Sequence, residues 1–255
     1  MNNIKKMRAS KAIKMGAKMR FSVHHNLLLM TFILILFTGC ATFNAQKVGP
    51  TTMMKAQEEI FEDQLLDVGI PVFESDKITE DQAKKEHTSQ EIRKAEHHFM
   101  PYHLKSTIQQ SSYWGAVRVL PGKTESIDVL VKGKVLESNG AHLILQIDVT
   151  DATRKTWFSK KYKSEASLAF YSGNRAGEKD AYQDLYNTIS NDIATYLKKL
   201  PPEEIKKIRT VSKLKFAQDF APSVYNGYLT TDKKDLIAVN RLPADEDTIM
   251  TRLLK

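Results

Sequence analysis

Two runs of apolar residues at every second position flank one turn signal: Val129, Val131 and Val135 before Asn139-Gly140, and Leu143, Leu145, Ile147 and Val149 after it. A period of two puts each set on one face of a strand, and the short gap between them makes a hairpin. Register constrains the fold further, because a slip of one residue turns a whole apolar face to water. A two-residue Asn139-Gly140 turn sets Leu143 against Leu136 and Leu145 against Lys134, on the wrong face. A three-residue loop, Ser138-Asn139-Gly140 with Gly140 left-handed, instead pairs Val135 with Leu143, Val131 with Ile147 and Val129 with Val149. Gly133 then faces Leu145 and leaves room for a bulky neighbour on the sheet.

The flanking sequence supplies partners for this hairpin. Leu66, Val68, Ile70 and Val72 share one face of an upstream strand, and Pro71 places its far end at an edge or an exit. Thr79 to His98 is charged and helix-prone, with Thr79 or Ser89 as cap. Pro101, lacking an N–H, is suited to begin a second helix in which Leu104 and Ile108 share a face, and Gly115 ends it. Val117 and Val119 mark the next strand. After the polar turn Asp151 to Lys155, the stretch from Thr156 to Ser164 forms another strand. Tyr182, Tyr186, Ile189, Ile193, Tyr196 and Leu200 recur at helical spacing and predict a helix from about Lys179 to Leu200, stopped by Pro201-Pro202. A further helix is expected over residues 203–219, and residues 221–255 read as a tail packed on the domain. The order predicts an α+β domain, with a single mixed or antiparallel sheet of about five strands and helices packed on one face.

The first 39 residues obey different rules. Lys5, Lys6, Arg8, Lys11, Lys14, Lys18 and Arg20 stand there without a single Asp or Glu, and Leu27 to Phe37 is an apolar run. The run has the length of a secretory h-region and falls short of the roughly 20 residues that a membrane-spanning helix needs. The positive end stays inside while the apolar run engages export machinery. Phe37-Thr38-Gly39-Cys40 resembles the lipobox of bacterial lipoproteins, with Phe37 where Leu is usual. The resemblance implies a lipoprotein signal peptide over 1–39, cleavage between Gly39 and Cys40, and acylation of Cys40. Ala41, where an Asp would signal inner-membrane retention, implies the outer membrane. Cys40 is the one cysteine of the 255 residues, so its acylation leaves no thiol for redox or nucleophilic chemistry. The formal charge of the full chain is +8, and the seven leader cations account for all but 8 − 7 = +1 of it. A near-neutral mature chain offers no global attraction to nucleic acid. Residues 40–55, with Gly49, Pro50 and no apolar period, read as a flexible lipidated tether to a periplasmic domain at 56–220.

Across residues 64–200 the pattern resembles the periplasmic domains of the curli secretion-channel lipoprotein, of the lipoprotein activators of penicillin-binding proteins, and of the TolB N-terminal domain. The resemblance rests on LLDVGIPVFE, SYWGAVRVLP, the hairpin with the strand after it, and the helix that follows. It implies docking of an envelope protein, with no bond chemistry and no cofactor. Enzymatic signatures such as G-x-S-x-G, H-E-x-x-H or a phosphate-cradling glycine loop are missing from the sequence. His87, His97, His98 and His103 with Glu96 form the best metal candidate, yet His98 lies three helical turns from His87, so the expectation is no metal and a solvated helix end. Asp148 and Asp151 flank a turn, where Asp is favoured for local reasons. Tyr113, Trp114, Trp157, Phe158 and Tyr162 offer stacking faces for an alternative role in binding peptidoglycan or another glycan. The partner surface expected first is the outward side of the hairpin, with Lys132, Lys134, Gln146, Asp148 and Thr150, joined by Trp157 and Tyr162 from the next strand.

Overall fold

The computed structural model describes residues 45–76, 79–85, 88–122, 124–166 and 180–244, which belong to one compact unit spanning Asn44–Lys255. Its strands are β1 (Gln46–Lys47), β2 (Val68–Pro71), β3 (Glu74–Ser75), β4 (Val117–Leu120), β5 (Val129–Ser138), β6 (His142–Asp151), β7 (Thr156–Glu165), β8 (Leu229–Thr231) and β9 (Ile237–Val239). The helices are α1 (Glu80–Lys85), α2 (Gln90–Gln110), α3 (Gln183–Leu197), α4 (Pro202–Phe220) and α5 (Pro222–Tyr225). The fold is α+β. A mixed sheet runs in the order β1-β7-β6-β5-β2-β4, with β3 continuing beside β5, so it has seven strands where about five were expected. The two-residue strands β1 and β3 carry too little pattern to be read from sequence.

The expected hairpin forms, but in a different register. Val135 pairs with Leu145, Gly133 with Ile147 and Val131 with Val149, while near the turn Ser138 pairs with Leu143. Four residues, Asn139 to His142, separate that last pair. Gly140 has φ +80°, and Asn139 Oδ1 accepts from the N–H groups of Ala141 at 3.0 Å and His142 at 2.7 Å. A four-residue loop alone would set Leu145 against Leu136 and put the apolar faces out of step. An extra residue in β5, between Val135 and Glu137, restores the parity. Val129, Val131, Val135, Leu143, Leu145, Ile147 and Val149 therefore all reach the core.

Gly133 does make room for a bulky neighbour, and that neighbour is Phe73. A Cβ on Gly133 would lie 2.4 Å from Phe73 Cε1, and the Phe73 side chain is buried. Gly133→Ala is accordingly expected to lower stability by about 1–3 kcal/mol through overpacking. Urea denaturation would measure it, and an unchanged midpoint would show that Phe73 can yield.

Phe73 also explains a helix that the sequence misplaces. Instead of a helix ending near His98 and another starting at Pro101, α2 is continuous and holds Pro101 in its interior. Proline removes the N–H that would bond the carbonyl four residues earlier, here that of His97. That carbonyl accepts instead from the Phe73 N–H at 3.2 Å. A chain segment distant in sequence thus satisfies the group that proline orphans. Ser89 caps the start of α2, its Oγ accepting from the Ile92 N–H at 3.2 Å, and the helix stops at Gln110, before Gly115. Ser111 is its C-cap, donating through Oγ to the Ile108 carbonyl at 2.6 Å.

The other elements complete the core. β2 pairs with β5 only at Val68 and Gly69 and with β4 through Pro71, so Pro71 stands where β2 has parted from β5. Leu185, Tyr186, Ile189, Ile193, Ala194 and Leu197 form the buried stripe of α3, which begins at Gln183. They share one core with Leu104 and Ile108 of α2 and the inward residues of β5 and β6. Ile208 and Val211 of α4 join it, and the Arg209 guanidinium donates to the carbonyls of Glu62 and Leu65. Tyr225 is fully buried, and the Ile237 N–H donates to the Thr153 carbonyl at 2.9 Å, fixing the β8–β9 hairpin beside the β6–β7 turn.

The second half of the expected tether is not free. Gln46 and Lys47 pair in parallel with Tyr162 and Lys163. The N–H groups of Thr51 and Met54 donate to Asp184 at 3.0 Å and Asn191 at 2.7 Å, and the side chains of Asn187 and Asn191 donate to the carbonyls of Thr51 and Thr52. Side chains of α3 supply these partners, so nothing in the local sequence of 45–55 announces them.

Candidate functional site

Strands β5, β6 and β7 are ten residues each, and their two faces differ. The inner face is the core. On the outer face stand Leu130, Lys132, Lys134 and Leu136 of β5, Ile144, Gln146, Asp148 and Thr150 of β6, and Ser159, Lys161 and Lys163 of β7, none of them buried. Pairing arranges them in rows across the strands: Lys132, Asp148, Ser159; then Lys134, Gln146, Lys161. Neighbouring strands lie about 4.8 Å apart, so each row extends about 10 Å. The Gln146 amide donates to Asp148 Oδ1 at 3.0 Å and Ser159 Oγ at 2.9 Å, and Lys134 Nζ lies 2.9 Å from Asp76 Oδ2. The arrangement is a flat patch of mixed charge with aliphatic residues between. It can bind by contact, and at its β5–β6 end a half-open pocket of about 190 Å³ is lined by Leu130, Lys132 and Thr150 together with Glu125, Arg154 and Lys215.

Lys132 and Lys134 thus lie on the exposed surface expected of them, and Trp157 and Tyr162 do not. Tyr162 is 0% exposed, and its hydroxyl donates to Asp192 Oδ2 of α3 at 2.7 Å. Burial first, and then the Asp192 charge, push its pKa upward. Lys160 Nζ reaches the same carboxylate oxygen at 2.8 Å. Trp157 donates through Nε1 to Asp151 Oδ2 at 2.9 Å and stacks on Tyr196 with centroids 4.7 Å apart. Trp157 and Tyr162 have opposite parity along an unbroken strand. They reach the same side because Trp157 is the extra residue in a β-bulge, with Thr156 opposite Thr150 and Phe158 opposite Val149.

The other aromatic candidates follow them into the interior. Tyr113 and Trp114 are buried, the Tyr113 hydroxyl donating to the Lys55 carbonyl at 3.2 Å. Phe158 is half-buried beneath the Lys160 ammonium, 5.1 Å from its ring centre. The stacking faces needed for a glycan platform are therefore taken up by packing. Asp148 lies on the open face. Asp151 is buried and structural, accepting from the Thr153 N–H at 2.8 Å and from the Trp157 indole. The Asp192 contact carries no sequence signal, since its partner Tyr162 lies 30 residues away across the fold, whereas Asp151 meets Thr153 and Trp157 within one turn.

The described histidines do not converge. His97 and His98 adjoin on α2, where His98 Nδ1 lies 3.1 Å from the Lys94 carbonyl, and His103 lies near Phe99 and 3.9 Å from Asp180. Burial, followed by the neighbouring His98, pulls the His97 pKa down. Glu96 accepts from the Ser138 hydroxyl, and burial raises its pKa. Among the described residues no three metal-ligating side chains come together. His87, Gly39 and Cys40 lie outside the described residues. No described helix is long and apolar enough to cross a membrane.

No family model matches this chain, and no curated protein matches it. Among solved structures, the PelC dodecamer from Paraburkholderia phytofirmans is similar at 11% identity, covering 60% of this chain and 95% of that one, with a TM-score of 0.31. Protein XCC0632 from Xanthomonas campestris, of family DUF330, is similar at 9% identity, covering 59% of this chain and 92% of that one, with a TM-score of 0.30. Likenesses at this level carry no statement about activity or partner.

Proposed function

We propose that this chain is a lipid-anchored protein of the bacterial outer membrane, periplasmic side, that acts without catalysis by docking an envelope protein on the open face of its sheet. The observation that carries the reading is that face. Three ten-residue strands present lysines, a carboxylate, an amide and aliphatic side chains, with none of these residues buried. A domain that covers one side of a sheet with α2 and α3 and leaves side chains of the other side accessible has the geometry of an adaptor. The anchor rests on the charged leader, the apolar run and the lipobox resemblance at Cys40.

Charge reversal of Lys132 and Lys134 together tests the docking face. Both lie outside the core, so the double variant is expected to fold and to lose no more than about 1 kcal/mol, from new repulsion with Asp148 and Asp76. Crosslinking from a photoreactive residue at Gln146 should then capture less of the envelope partner than in the parent. Equal capture by parent and variant would remove the face from the reading.

A further inference from the structure

The packing of β1 constrains where the lipid anchor holds the domain, an argument that rests on the anchor reading above. Gln46 and Lys47 pair with Tyr162 and Lys163, the Val48 N–H donates to the Lys163 carbonyl at 2.8 Å, and Val48 is buried. The chain is pinned again at Thr51 and Met54. Only residues 41–45 separate Cys40 from this strand. Whatever path they take, six Cα steps span at most about 20 Å. The lipoprotein therefore has almost no reach, and the β1–β7 edge of its sheet stays close to the lipid surface.

The chemistry of that edge matches what it would meet. Lys47 is paired with Glu165 at 3.3 Å, and Lys160 with Asp192. Lys161 and Lys163 have no carboxylate partner among the described residues and stand on the outer face two residues apart, beside the edge, about 7 Å from one another. Two lysines on a free protein hold a membrane weakly. On a domain already tethered within about 20 Å, the effective concentration of headgroups is high and the Debye length of about 8 Å is within reach, so weak contacts decide orientation. We infer that the β1–β7 edge is a membrane-facing surface, on which Lys161 and Lys163 bind anionic phospholipid headgroups of the leaflet that holds the acyl chains. The sheet then stands on this edge, with the far edge at β4 away from the bilayer and Lys132 and Lys134 open to the side.

Energy transfer to a headgroup acceptor tests the orientation. Once Cys40 is acylated no thiol competes for label, so the acylated mature protein can carry one donor at Ser159→Cys on β7 or at Gly122→Cys beyond β4, where an added Cβ meets no atom within 4 Å. In phosphatidylethanolamine–phosphatidylglycerol vesicles, transfer should be stronger from position 159 than from 122. Lys161→Glu with Lys163→Glu, or vesicles of phosphatidylcholine alone, should bring a loss of most of that difference. Equal transfer at the two positions, or a difference untouched by the charge reversal, overturns the inference and leaves the anchor standing. An intact mass without acyl chains overturns both, through the anchor.

Discussion

Tyr162→Ala is expected to lower the stability of the domain by about 3–5 kcal/mol, a cost typical of truncating a fully buried aromatic residue. The side chain is 0% exposed in the core between β7 and α3, and its loss would also leave Asp192 without the hydroxyl it accepts from at 2.7 Å. Tyr162→Phe keeps the ring and isolates the hydrogen bond to a charged acceptor, so it should cost about 1.5–3 kcal/mol. Lys132→Ala on the open face should change stability by no more than about 0.5 kcal/mol. Urea denaturation followed by circular dichroism would give all three values on one scale. A loss below about 1 kcal/mol for Tyr162→Ala would return this residue to the surface, where alternation alone would allow it.

Cys40→Ser is expected to have the largest effect on the fate of the chain. On the proposal that Cys40 carries three acyl chains, membrane attachment draws about 0.8 kcal/mol per buried methylene, a sum on the order of 30 kcal/mol that no surface contact approaches. A serine cannot form the thioether. The variant should accumulate as a precursor retaining residues 1–39 and lacking acyl mass, while the parent begins at an acylated Cys40. Intact-mass and N-terminal peptide measurements read both outcomes directly. A parent protein whose N-terminus lies at another residue would end the anchor proposal.

These two expectations differ in origin. The Cys40 argument uses only neighbours in the chain: charge, an apolar run, small residues and a thiol in that order. The Tyr162 argument needs the structure, because in the string of letters Tyr162 is an aromatic among lysines. The same division runs through the fold. The apolar stripes of β5, β6 and α3 were legible, since a repeated period reports burial directly. The register between β5 and β6 was not, because a bulge leaves no fixed mark in sequence and one unpaired residue resets every pair beyond it. A bulge also misled the reading of β7, where it turns Trp157 to the same side as Tyr162.

Local sequence determined that a basic stretch and an apolar run precede a mixed α+β domain, which strands have one apolar face, and that Lys132 and Lys134 lie on the other. Those properties follow from composition within a few residues, where side-chain period and charge act alone. Tertiary structure decided what depends on groups far apart in the chain. Phe73 took the carbonyl that Pro101 orphaned and let α2 run through; Asn187 and Asn191 held residues 51–54 against α3; Asp192 claimed Tyr162 for the interior. The physical reason is common to all three. A buried polar group must find a partner, and when the partner lies across the fold its identity is a property of packing, not of the surrounding sequence.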